Sequence, residues 1–144
     1  MLSQLEKIGF VDKCKSFAPL AIRILTGFHL VYTTKNIVFN ATEMQGVIDF
    51  FTSQKIPAAS FLAPLTVYAE FFCGLLILIG LFTRAAGGIM LIVFVCAIGF
   101  VHIGDSYTNT FPALVLLAGS LSLFLSGAGK FSLDNIVRRK TTTL

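Results

Sequence analysis

Charged residues are scarce in this 144-residue chain. They make up 12% of the sequence, whereas hydrophobic residues make up 56%; soluble domains carry roughly 25% charged residues. A water-soluble fold of this size could not cover so much apolar surface. The composition therefore excludes an ordinary soluble domain and indicates an integral membrane protein. Because the length suits one domain and no linker divides the chain, we predict a single membrane domain over residues 1–144.

Residues that commonly hold metals or perform catalysis are also few. Cys14, Cys73 and Cys96 lack CxxC spacing, and His29 and His102 lack the spacing of metal ligands. This argues against zinc, haem and copper sites, so no metal is expected. Cys73 and Cys96 are interpreted as small buried hydrophobes. Because GxGxxG, Walker, GxSxG and HExxH motifs are absent, neither a complete enzyme acting alone nor a covalently bound cofactor is indicated.

Four apolar segments are long enough to cross a bilayer as helices, which takes about 20 residues. They lie at residues 17–38, 61–82, 85–103 and 110–126. Residues 42–54 are more polar and predict a short helix lying at the membrane surface. The predicted fold is therefore an all-α, four-helix membrane bundle with one interfacial helix between the first two spans.

Helix-start signals accompany two of these segments. Thr42 followed by Gln45 matches a capping box, which predicts Thr42 as the N-cap of the interfacial helix. Asn109 or Thr110 can cap the fourth span, and Pro112 suits its first turn.

Lysine and arginine outside the spans predict the orientation, because cytoplasmic loops carry more of them. With both termini inside, only Lys35 and Lys55 lie on the outer side. The inner side then holds the remaining cations near the span ends: Lys7, Lys13, Lys15, Arg84, Lys130, Arg138, Arg139 and Lys140. This predicts a protein with an N-in, C-in orientation. These cations lie where they meet anionic lipid, so the net charge of +4 does not indicate nucleic-acid binding.

The first span has two unlike faces at 100° per residue. An apolar face suits lipid and consists of Ile24, Leu25, Phe28, Val31 and Tyr32. A polar face is expected to point into the bundle and consists of Arg23, Thr26, Gly27, His29, Thr33 and Thr34.

Glu70 is the only charged residue between Lys55 and Arg84, and it lies near the middle of the second span. A carboxylate there costs at least ~2.5 kcal/mol, so it needs a partner or a function. His29 comes to a similar depth, whereas Arg23 lies on the order of 9 Å further inward by helical rise. Either can be the partner. Two interpretations stay open: a structural pair that fixes helix register, or a polar centre that binds a quinone-like head group or passes a proton.

Residues 70–84 resemble the hallmark of the DoxX family of membrane proteins, which is a glutamate, a glycine- and leucine-rich run, and a Gly-Leu-x-Thr-Arg corner. Three weaker features are similar to the family pattern: the series Arg23, Gly27 and Lys35; His102 at the end of the third span; and the closing series Gly129, Ser132 and Asp134. The likeness covers residues 18–136 in order. One departure is Val31-Tyr32, where the family often has His-Gly.

The resemblance implies a multi-pass, four-helix protein of the bacterial plasma (inner) membrane. Some family members are subunits of a thiosulfate–quinone oxidoreductase, and others join membrane redox complexes that handle thiols and oxidative stress. Carried onto this chain, the implied site residues are Arg23, Lys35, Glu70, Arg84 and His102; the depth argument adds His29.

Two functional hypotheses follow. The first is an accessory subunit of a quinone-linked oxidoreductase, which binds quinone between the first two spans and acts with a soluble partner on the basic inner face. The second is a non-enzymatic assembly or scaffold protein, whose buried polar pair only sets packing. Membrane lipid is the expected surrounding in both, and a homo-oligomer stays open.

Overall fold

The computed structural model describes residues 17–129 and 132–135, and its regular structure over those residues is helical, without a strand. The prediction of an all-α fold is therefore confirmed. The described residues form five long helices: α1 (Ala18–Phe39), α2 (Ala41–Ser53), α3 (Ala59–Ile79), α4 (Thr83–Val101) and α5 (Tyr107–Ser126). The predicted bounds differ from these by at most three residues. The predicted inner cations at both termini, and Cys14, lie outside the described residues.

Three of the described helices, α3, α4 and α5, are long and apolar enough to cross a membrane. The first helix is not among them, since Arg23, His29 and Lys35 lower its hydropathy. It runs for 22 residues and packs chiefly along α3. A fourth crossing by α1 therefore stays a prediction.

The helices pack as two tight pairs, α1 with α3 and α4 with α5. Glycines set both contacts, because a small residue lets backbones approach closely. A Cβ at Gly27 of α1 would lie 2.9 Å from the Gly74 carbonyl oxygen of α3, and one at Gly87 of α4 would lie 2.9 Å from the Phe124 nitrogen of α5. A buried cluster joins the pairs and includes Leu30, Ile77, Met90, Phe94 and Leu123.

The outer surface of the bundle is apolar. On α1, Ile24, Leu25, Phe28 and Tyr32 are each at least half exposed, as expected of its lipid-facing side. The polar side is confirmed only in part, because Arg23, Thr26, Gly27 and Thr34 are buried but His29 and Thr33 are exposed. The apolar outer surface suits the hydrocarbon of a membrane, and its exposure to water would cost free energy.

Both predicted N-caps are wrong by a short distance. Asn40 caps α2, its side chain accepting from the Thr42 nitrogen at 2.9 Å; Gln45 instead donates to Asp49. Ser106 caps α5, accepting from the Asn109 nitrogen at 3.4 Å. In each case a good capping residue stands a few positions earlier in extended backbone, which is the conformation a cap requires.

Candidate functional site

The described polar groups concentrate at two levels of the bundle. The corner end is the end that holds the α3–α4 corner at residues 80–82. The loop end is the opposite end, which holds α2 and the α4–α5 loop at residues 102–106. Arg23 and Arg84 belong to the corner end, whereas Glu70, His102 and Lys35 lie at mid-depth or toward the loop end.

Arg23 binds backbone carbonyls at the corner end and forms no ion pair with Glu70. Its Nε donates to the Ile77 oxygen at 2.9 Å, and its two terminal nitrogens donate to the Leu78 and Ala128 oxygens at 3.0 and 2.8 Å. Arg23 is 3% exposed. A helix C-terminus leaves carbonyls without intrahelical partners and carries partial negative charge, so a guanidinium is stabilised there. A structural pair between Arg23 and Glu70 is thus excluded.

The corner itself is closed by a residue from far along the chain. Gly80 ends α3 with a φ of +71°, where other residues are strained. The Asp134 carboxylate accepts from the Phe82 and Thr83 nitrogens at 2.8 and 3.1 Å, and its own nitrogen donates to the Gly80 oxygen at 3.0 Å. The Asp134 carboxylate therefore makes the hydrogen bonds of an N-cap for α4, although Asp134 is distant from the start of α4 in the sequence.

Arg84 has a weaker role of the same kind. Its side chain is exposed, and one terminal nitrogen lies 3.4 Å from the Leu125 oxygen near the end of α5. Both arginines of the predicted site thus face helix C-termini, and neither is among the residues that line the cavity described next.

A cavity of about 450 Å³ lies between α1, α2, α3 and α4 in the loop-end half of the bundle. Its wall is mostly aliphatic and aromatic. The polar or polarisable side chains in that wall are Thr33, Thr34, Thr66, Glu70, Cys96 and His102. From α2 and the loop after it come Val47, Phe50, Phe51, Ile56 and Pro57, so α2 forms one side of the cavity.

Glu70 lies in the cavity wall and is partly buried. By helical rise it is roughly 15 Å from either end of α3. Within residues 17–129 and 132–135, no hydrogen bond or ion pair reaches its carboxyl group. The second proposed partner, His29, is exposed and does not line the cavity; its neighbour Leu30, 1% exposed, takes the position facing the core.

His102 lines the same cavity at its loop end. Its Nδ1 lies 3.3 Å from an oxygen of Asp105. The Asn109 side chain and the Ser106 nitrogen each donate to the other Asp105 oxygen at 2.9 Å. These hydrogen bonds, that of Asn109 first, lower the pKa of Asp105, so this carboxylate is ionised at neutral pH and orients the imidazole.

Cys96 does not lie where the sequence predicts, whereas Lys35 does. Cys96 was expected to be buried like Cys73. Cys73 is buried, but Cys96 is exposed and lines the cavity. Lys35 is exposed near the end of α1, with its ammonium 4.5 Å from the centre of the Tyr32 ring. That is the expected placement of a lysine reaching for the membrane boundary.

Comparison with known proteins supports the sequence resemblance. The sequence model of the DoxX family matches residues 18–103, which is most of the chain and the whole of α1 to α4. The chain belongs to the DoxX family. The matched region of this DoxX protein is the part that encloses the cavity; α5 and the Asp134 cap lie beyond it.

One relative is an uncharacterized membrane protein of Mycobacterium tuberculosis. It is 33% identical over 137 residues, which cover 85% of this chain and 83% of the relative. No solved structure matches the chain. Family and relative, with the three apolar helices, confirm a multi-pass membrane protein, and the source of the relative agrees with a bacterial membrane.

Proposed function

We propose that this DoxX protein is a membrane subunit of a redox complex and that its cavity binds a quinone or a similar lipophilic ligand. The observation that carries the proposal is the Glu70 carboxyl group, which stands without a described partner in the wall of a largely apolar cavity. An ionisable group at this depth is expensive and commonly marks a ligand or proton path. A ligand head group that hydrogen-bonds Glu70 removes that cost.

The shape of the cavity supports a ligand with a small polar head and an apolar body. Its volume of about 450 Å³ falls within the range of small-molecule sites, roughly 300–1,000 Å³. The position of the cavity differs from that of the site in the sequence-based hypothesis. The proposed ligand lies between the α1–α3 pair on one side and α4 on the other, under α2, and not between the first two spans alone.

The proposed orientation places the loop end outside and the corner end in the cytoplasm, as the cation distribution predicts. The cavity then opens toward the outer leaflet. A soluble redox partner, if this subunit has one, would meet the opposite face, where Arg84 is exposed.

A binding comparison tests the proposal. The full chain, purified in lipid nanodiscs, is titrated with a decyl-substituted benzoquinone, and so are the Glu70→Gln and Glu43→Gln variants. We expect saturable binding by the parent and by Glu43→Gln, since Glu43 is exposed and outside the cavity, and an altered affinity for Glu70→Gln. Absence of saturable binding by the parent to either redox form of the quinone would overturn the proposal.

A scaffold function is the second candidate, favoured by the structural use of both arginines at the corner end. It predicts that Glu70→Gln leaves both redox activity in membranes and complex assembly unchanged, while Arg23→Met disturbs assembly through loss of folding. Loss of redox activity in Glu70→Gln membranes, with the complex still assembled, would decide against it.

A further inference from the structure

The hydrogen-bonding groups of the cavity wall are mostly acceptors. Thr33 donates its hydroxyl hydrogen to the His29 and Leu30 carbonyls at 2.9 and 3.2 Å. Thr34 donates to the Leu30 carbonyl at 2.6 Å. A hydroxyl has one hydrogen and two lone pairs, so these threonines offer the cavity oxygen lone pairs only.

His102 has the same bias. A carboxylate can only accept, so the hydrogen in the contact between His102 Nδ1 and Asp105, 3.3 Å long, belongs to the imidazole. In the neutral ring the other nitrogen, Nε2, is then an acceptor. Asn109 and Ser106 donate to the other Asp105 oxygen and so hold the carboxylate in position to accept from His102.

Glu70 is an acceptor in either protonation state. Ionised, both oxygens accept; protonated, one oxygen still accepts while the other donates. Among the described lining residues, the donors that are not already used are the Thr66 hydroxyl, the weak Cys96 thiol and, when it is protonated, one oxygen of Glu70. Lysine, arginine, asparagine, glutamine, tyrosine and serine are all missing from that lining.

From this inventory we infer that the cavity selects a ligand head group that donates hydrogen bonds, and so prefers a hydroquinone to the corresponding quinone. The two hydroxyls of a hydroquinone match the acceptors of Glu70 and of the threonines. The two carbonyls of a quinone face lone pairs at most of the same positions. A site that offers acceptors rejects a ligand without matching donors more strongly than it rejects an extra methylene. This inference rests on the proposed function, because it assumes a quinone-class ligand in this cavity.

Three decyl-bearing probes test the preference on the full chain in nanodiscs: a benzoquinone, its hydroquinone kept reduced without oxygen, and the dimethyl ether of that hydroquinone. Concentrations are expressed in the lipid phase, so that unequal partitioning does not mimic affinity. We expect the hydroquinone to bind roughly tenfold more tightly than the quinone, because its hydroxyls make hydrogen bonds at positions where the quinone carbonyls meet lone pairs. The dimethyl ether, which has no donor, should bind no better than the quinone.

A tenfold preference raises the midpoint potential of the bound two-electron couple by about 30 mV, which a redox titration measures independently. Equal binding, or tighter binding of the quinone, would overturn the donor preference and leave the proposed function standing. Failure of all three probes to bind would overturn both.

Variants with opposite expected effects separate the roles of wall residues. Glu70→Gln adds an amide donor, so the hydroquinone-to-quinone affinity ratio should fall toward one, while the exposed Glu43→Gln control keeps the parent ratio. Thr66→Val removes the strong free donor and should raise the ratio by weakening quinone binding. Thermal unfolding confirms that each variant is folded. An unchanged ratio in both folded cavity variants would contradict the inference.

Discussion

The two levels of the bundle treat their charges in opposite ways. At the corner end, Arg23 donates three hydrogen bonds to backbone carbonyls of other described residues. Asp134 makes three with the backbone of residues 80–83 in the described part of the chain. Half-way up, Glu70 faces a cavity with no described partner. Buried polar groups are normally satisfied. The difference indicates that the corner end maintains the fold and the loop-end half is kept for binding.

The largest effect is expected from Arg23→Met, which removes the donors to the Ile77, Leu78 and Ala128 carbonyls. Losing buried hydrogen bonds from a charged group should lower the free energy of unfolding by roughly 3 kcal/mol or more. Thermal unfolding in detergent measures it. Lys35→Met is the matched control, because that cation is exposed on the same helix, and it should change little. Equal melting temperatures for the two variants would contradict the conclusion that the corner end maintains the fold.

Asp134→Ala should have the next largest effect. It removes the acceptors for the Phe82 and Thr83 nitrogens at the start of α4; loss of a helix cap costs about 1–2 kcal/mol. Asp49→Ala, on the exposed face of α2, is the control for removing a carboxylate elsewhere. Faster cleavage at the corner by a protease would locate the damage, whereas an unaltered unfolding curve would show that Asp134 does not cap α4.

Unlike the two substitutions above, Glu70→Gln is expected to leave the free energy of unfolding almost unchanged or to raise it. Its carboxyl group loses no described partner, and a neutral amide is easier to bury than a charge, so the unfolding free energy should stay within about 1 kcal/mol of the parent or rise. The informative comparison is Asp134→Asn, the same neutralisation at the corner end, which should destabilise. If Glu70→Gln is the more damaging of the two, Glu70 is structural and the cavity loses its main argument.

The sequence predicts the helices well because apolar length and turn residues are local signals. Glu70 also stands out locally, as one charge in a long apolar run. The partner of Arg23 was missed because backbone carbonyls have no sequence signature, so side-chain charge suggested Glu70 instead. The side-chain lean toward the helix N-terminus, already visible from the sequence, was the better guide.

The sequence carries only an indirect signal for the cap by Asp134. Leu81 and Phe82, which precede α4, cannot cap a helix, and Thr83 is already the first residue of α4. Because Thr83 stands at this point as a possible local cap, the sequence alone does not show that a distant carboxylate is needed. The cavity had no comparable signal, since it depends on how far α4 stands from the α1–α3 pair and on where α2 lies.

The smallest predicted effect concerns pH at the loop end. The pKa of Asp105 is lowered by its hydrogen bonds to Asn109, Ser106 and His102. In the unfolded chain it titrates at an ordinary value near 3.9. The carboxylate therefore contributes stability that is fully present above about pH 4 and is lost as the pH falls through the lower, folded value. Asp105→Asn should lower the melting temperature slightly at pH 7, and the gap to the parent should close in strong acid. Melting curves from pH 7 downward measure this. Because the Asp105 side chain is exposed, the difference in melting temperature should be small. A large difference, or one that widens in acid, would mean that the loop stabilises the bundle by something other than these hydrogen bonds. The stability of the bundle would then depend on the loop end as well as on the corner end.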